Sequence, residues 1–140
     1  MGMPRGLGEE AVARNLERRG WNVDRLFLRQ LDPPDLLAQR NGVKWRIEVK
    51  TCTIDRPGVS KRPQETIDFE FKARDWVAAD VFVLCLRKTG RIRKFLVMRK
   101  DEAPVGPIVK VTNRTRFFMN ASHLKFPDWA QHVNRFDKLD

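Results

Sequence analysis

The chain has 140 residues, enough for one domain with its own core, and 28 Lys and Arg against 18 Asp and Glu give it a formal charge of +10. That excess makes nucleic acid the most economical polyanionic partner, while the lack of any long apolar run and of a signal pattern at Met1-Gly2-Met3-Pro4-Arg5 argues against a membrane partner and for a soluble intracellular protein. The absence of tyrosine excludes a tyrosine nucleophile, and Cys52 and Cys85, far apart in strand-like runs, read as reduced packing residues.

The first predicted element is a helix from about Leu7 to Arg19, closed by Gly20. At about 3.6 residues per turn, Glu9, Val12, Ala13 and Leu16 share one stripe, so Glu9 points inward among apolar neighbours. A carboxylate on a buried stripe needs a partner or a metal, which makes Glu9 a candidate acidic site residue; the competing reading is a first-turn Glu favoured by the helix dipole. Glu10 and Arg14 lie on the other side at the spacing of an ordinary solvated pair.

Asp35-Leu36-Leu37-Ala38 is a short apolar run, and Asn41-Gly42 supplies the positive φ angles of a tight hairpin turn. The next eight residues, Val43 to Lys50, alternate apolar and polar, the period of a strand with one buried face. Such a hairpin folds Asp35 back towards Glu48, and Glu48 and Lys50 project from the same face. Two converging carboxylates repel each other and lose hydration, a cost that a divalent cation relieves. Oxygen ligands suit Mg²⁺, which takes one or two carboxylates and keeps room for water and a phosphate. With an ammonium group beside it, the set reads as a metal-dependent phosphodiesterase site; the plain alternative is a ribbon of solvated charges with one cross-strand pair.

From Thr53 to Glu65 the sequence has no sustained period and places Pro57, Gly58 and Pro63 among Arg56, Lys61 and Arg62, a basic loop positioned to touch phosphates without reading bases. Ile67 to Phe71 alternates as a strand, Lys72 follows either as a second cation of the site or facing solvent, and Ala73 to Ala79 fits a short helix. Val81 to Leu86 is continuously apolar, as in a strand covered on both faces; Thr89-Gly90 turns the chain into a further strand, Arg91 to Met98. After a connection broken by Pro104, Gly106 and Pro107 come a short strand at Ile108 to Val111 and a terminal amphipathic helix carrying Trp129, Val133 and Phe136. His123 and His132 lack companion cysteines at zinc-ligand spacing. This order of helices and strands predicts an α/β sandwich with a mixed central sheet.

Glu9, Pro34-Asp35 and Glu48-Val49-Lys50 resemble the PD-(D/E)XK nuclease superfamily, and their order and spacing are most similar to archaeal-type Holliday-junction resolvases, with Gly20-Trp21 standing where those proteins carry Gly and an aromatic or apolar residue. The resemblance covers residues 6–52 and implies an α/β, restriction-endonuclease-like mixed central sheet flanked by helices. It further implies Mg²⁺, or Mn²⁺ in its place, held by Glu9, Asp35, Glu48 and the carbonyl of Val49, with Lys50 serving the hydrolytic water. The implied substrate is branched DNA at a four-way junction, cut by a homodimer whose two-fold axis pairs the sites. The segment Leu28 to Pro34 departs from the Gly/Ser-containing stretch of those resolvases and offers Arg29 and Gln30 as DNA contacts instead. A sequence-specific restriction or homing endonuclease on the same fold, and a basic DNA-binding module without catalysis, are the alternatives.

Replacing Arg56, Lys61 and Arg62 together with Ala is expected to weaken DNA binding and flatten its salt dependence by about two to three units of slope. A salt titration of binding measures this, and an unchanged slope removes the loop from the interface.

Overall fold

The ends of the first helix follow from its glycines. The computed structural model describes residues 6–53, 66–102, 114–120 and 131–140, and in it α1 spans Leu7–Arg18. At its C-terminus Gly20 adopts φ 89°, so its N–H reaches the carbonyl of Glu17 while that of Trp21 reaches the carbonyl of Leu16. These two bonds satisfy carbonyls the helix would otherwise leave open, and Trp21 joins Leu16 in the core. Gly8, Val12, Ala13 and Leu16 form the buried face, with Glu9 half-buried beside it. Glu10 pairs with Arg14 as expected, and also with Arg25, whose guanidinium reaches Glu17 as well.

A four-residue strand, β1 (Asn22–Arg25), follows α1 and was not expected, since Asn-Val-Asp-Arg offers one apolar side chain and too few residues to show a period. β2 (Leu36–Arg40) and β3 (Val43–Thr53) form the predicted hairpin, with Asn41 at φ 51° and Gly42 at φ 80° in its two-residue turn. β5 (Val81–Lys88) lies parallel to β3, and β6 (Arg91–Arg99) returns antiparallel through Thr89-Gly90, both at positive φ. The main sheet therefore runs β1-β2-β3-β5-β6, a mixed sheet as expected. Every residue from Val81 to Leu86 is fully buried, which is why that run shows no alternation.

The strand expected near Ile67 to Phe71 is β4 (Thr66–Lys72), but it stands outside the main sheet. It pairs antiparallel with β7 (Arg114–Asn120) in a two-stranded sheet of its own, and leads directly into α2 (Ala73–Ala78). The sequence of β7 lacks period-two alternation, so nothing local announced this partner. The expected terminal helix is also corrected. Among residues 131–140, Val133 bridges Leu96 of β6, Asn134 takes φ 57°, and only Phe136–Leu139 winds into a 3₁₀ turn. The open backbone groups of β6 take precedence over helical periodicity: the N–H of Val97 reaches the carbonyl of His132, and the N–H of Asn134 reaches that of Phe95. The basic residues Arg56, Lys61 and Arg62, the strand expected at Ile108 to Val111, His123 and Trp129 lie outside the described residues. No helix among the described residues is long and apolar enough to cross a membrane.

α1 packs tightly on the sheet at Gly8. A Cβ there would stand 2.2 Å from the hydroxyl oxygen of Thr51 and 3.5 Å from Cys85 Sγ. Burial pushes the Cys85 thiol up to about 12, and its Sγ–H points towards the Gly8 carbonyl at 4.0 Å. Gly8→Ala is expected to destabilise the protein by roughly 1–3 kcal/mol through overpacking, although Ala favours the helix intrinsically. Chemical denaturation measures the loss; equal stability would mean that α1 can move away from β3 at little cost.

Candidate active site

Asp35 stands immediately before β2, and the hairpin fixes it in three ways. Its N–H donates to the carbonyl of Ile47 at 3.0 Å, its carbonyl accepts from the N–H of Phe27 at 2.9 Å, and its Oδ2 accepts from the N–H of Val49 at 2.8 Å. Leu36 is registered with Ile47, so Asp35 reaches the strand segment that carries Glu48 and Lys50. The structure thus brings Asp35, Glu48, Val49 and Lys50 together.

A fifth residue, which the sequence reading passed over, completes the group. Asp75 in the first turn of α2 is only 4% exposed, and its Oδ2 lies 2.9 Å from Lys50 Nζ; Glu48 Oε2 lies 3.4 Å from the same nitrogen. The signal for Asp75 was present: it sits one helical turn before the fully buried Ala79, the criterion applied to Glu9. Burial pushes Glu48 up to about 8, reinforced by the negative charge of Asp35. Asp35 is raised as well, burial again outweighing the Val49 hydrogen bond and the charge of Lys50. For Lys50 burial pulls downward, yet the hydrogen bond to Asp75 and the charges of Glu48 and Asp75 win, and the ammonium is held above its ordinary range.

Glu48 and Asp75 thus grip one ammonium, Asp35 and Glu48 stand within hydrogen-bond reach of each other, and the buried Glu48 Oε1 meets no N–H or O–H donor among the described groups. An oxygen stripped of water and left unpaired is costly, and a hard divalent cation is the ligand that suits it. The donor chemistry of Asp35 and Glu48 fits Mg²⁺ or Mn²⁺. Among the described residues no group of three His, Cys, Asp or Glu side chains is close enough to hold a metal, so Glu9 is not brought into the Asp35–Glu48 pair. Its negative charge instead acts on Cys85. Other ligand positions would fall to the Val49 carbonyl, water and a substrate phosphate.

The remaining residues singled out in the sequence lie around this group. Arg29 makes a two-pronged pair with Asp24 at 2.6 and 3.0 Å, and Gln30 donates to the carbonyl of Asp32, so both are engaged within the approach to Asp35. Lys72 ends β4, three residues before Asp75.

No family model and no curated protein sequence matches the chain. Solved structures similar to it include two nucleases. The bacterial homing endonuclease I-Ssp6803I aligns with 98% of this chain and 93% of its own, at a TM-score of 0.58 and 14% identity. The Holliday junction resolvase Hjc of the archaeal hyperthermophile Archaeoglobus fulgidus aligns with 84% of this chain and 91% of its own, at a TM-score of 0.47 and 11% identity. The likeness to the first is one of fold, and the chain has the restriction-endonuclease-like fold: a mixed central sheet with helices.

The raised Glu48 sets a pH dependence of stability. Its folded value of about 8 exceeds its ordinary 4.5, so the folded state holds the proton more tightly and its stability falls as pH rises between those values. Glu48→Gln keeps the neutral shape and removes that slope. In chelator, the melting temperature of the wild type is expected to drop by at least about 3 °C more than that of Glu48→Gln across this window, as read by calorimetry. Parallel profiles would assign the buried proton elsewhere.

Proposed function

We propose that this chain is a divalent-metal-dependent DNA endonuclease. The observation that carries the reading is the buried pair of carboxyl groups, Asp35 and Glu48, crowded together beside Lys50. Asp35 and Glu48, with the carbonyl of Val49, would hold Mg²⁺ or Mn²⁺. When bound, the ion supplies Lewis-acid polarisation of the phosphate and a lowered pKa for water.

The chain's own residues set the geometry for hydrolysis. Asp35 cannot swing away, because its carboxylate is tied to the N–H of Val49. Lys50 carries the positive charge that steadies the attacking water and the developing negative charge on the phosphate. Asp75 is a positioning residue: it grips the ammonium from α2 and holds it beside Glu48. An ammonium so aimed needs no rearrangement when charge develops, and its raised pKa keeps it protonated at neutral pH.

The excess of cations supports DNA as the polyanion. Arg29, Gln30, Arg56, Lys61, Arg62 and Lys72 are the proposed backbone contacts, which position a duplex without selecting its sequence. The resemblance around Glu9, Asp35 and Glu48-Val49-Lys50 favours a four-way junction and a homodimer that nicks two strands symmetrically. A second reading, cleavage of linear duplex at a defined site, is favoured by the fold shared with a homing endonuclease.

Labelled four-way junction, linear duplex, single strand and splayed arms of one sequence test the proposal together, with Mg²⁺ or with chelator. The wild type is expected to nick the junction in symmetric pairs, and Glu48→Gln or Asp35→Asn to lose at least about a hundredfold in rate while still binding DNA. Asp75→Asn is expected to retain binding and lose about tenfold or more in rate. Equal cutting of linear duplex transfers the function to the second reading; binding without metal-dependent cutting of any substrate overturns catalysis.

A further inference from the structure

The hairpin joining β5 to β6 carries Arg87, Lys88, Arg91, Arg93 and Lys94 within eight residues that contain no acid. Lys88, Arg91, Arg93 and Lys94 are exposed and Arg87 is half-buried. None of the five makes an ion pair with an acid among the described residues, whereas Arg25, Arg29, Arg46 and Arg135 each do. Lys88 and Arg91 are registered directly opposite one another across the hairpin, a like-charge pair that costs stability unless something outside the chain neutralises it. The buried Nε–H of Arg87 also lacks an acceptor among the described groups.

The backbone holds this charge in place. Thr89 and Gly90, at φ 49° and 76°, form a tight turn. Arg93 sits at the register irregularity between the strands, and its guanidinium donates to the Lys88 carbonyl and the Thr89 hydroxyl, tying the turn to β6. Protection of a sheet edge accounts for cations on β6, since β6 is the edge strand. It does not account for Arg87 and Lys88, which lie on β5.

Register fixes the distance from the candidate site. Glu48 pairs with Phe82 and Thr53 with Arg87, so Lys88 stands six residues farther along the sheet than Glu48, about 20 Å away. That spans about six base pairs of duplex at ~3.4 Å each.

We infer that the β5–β6 hairpin is a second phosphate-backbone clamp, gripping duplex DNA about half a helical turn from the phosphate held at Glu48, with Lys88 and Arg91 as its principal contacts. It rests on the nuclease reading for its ligand, but binding and cutting are read separately. The probe is a fluorescently labelled linear duplex of about three helical turns, titrated in chelator over a range of salt, with cleavage measured in parallel in Mg²⁺.

Lys88→Gln/Arg91→Gln is expected to reduce the salt slope by about 1.8 and to weaken binding about tenfold near physiological salt. Arg18→Gln/Lys44→Gln removes the same charge from α1 and the start of β3, and is expected to change the slope by much less. Arg91→Gln alone, expected to reduce the slope by about 0.9, serves if the double variant does not fold. An unchanged slope in a folded hairpin variant, an equal loss in the Arg18/Lys44 control, or loss only of binding to anionic phosphatidylserine vesicles overturns the clamp. A wild type that cuts no DNA but loses slope on hairpin substitution keeps the clamp and overturns the nuclease; one that cuts DNA while the hairpin variant keeps its slope does the reverse.

Discussion

The antiparallel register that sets Leu36 opposite Ile47 is the constraint on which the candidate site depends. Side chains alternate between faces along a strand, so a slip by one residue would send Glu48 and Lys50 to the opposite side of the sheet and separate them from Asp35. The turn at Asn41-Gly42 specifies that register locally, and the burial of Leu36, Ala38 and Ile47 enforces it from the core. On the other flank, the parallel pairing of β3 with β5 does the corresponding work. α2 ends just before β5, so the register that aligns Glu48 with Phe82 also delivers Asp75 to Lys50.

Charge at this site is arranged against stability. Asp35, Glu48 and Asp75 face one lysine, and a core built for stability alone would contain fewer buried acids or more cations. The chain is otherwise rich in cations, and many are matched at its surface: Arg25 with Glu10 and Glu17, Arg46 with Asp80, Arg19 and Arg40 with Asp140. The crowding of acids at one buried place, against a strongly basic background, is the arrangement on which the proposed metal site and the proposed polyanionic partner rest.

Much of this was legible in the sequence because its signals are local. The Asn41-Gly42 turn, the alternation of Val43 to Lys50, the glycine after α1 and the apolar run Val81 to Leu86 each report on their own neighbourhood. What escaped depends on distant partners. β1 is too short to show a period, and β4 is held by β7 across more than forty residues. The segment around Val133 follows the needs of β6 instead of its own helical spacing. Asp75 was missed because its partner Lys50 lies twenty-five residues earlier, on a different element. Glu9 is half-buried, as its place on the stripe suggests, and its neighbour Gly8 occupies the tight contact with Thr51 on the sheet.

That contact makes the buried cysteine a reporter. With α1 seated so that Gly8 leaves no room for even a methyl group beside Thr51, the Cys85 sulfur is closed off from solvent and carries almost no thiolate. A thiol reagent can reach it only when the helix lifts from the sheet. The rate at which Cys85 is alkylated under native conditions therefore counts the openings of α1, a clock for local unfolding already built into the chain.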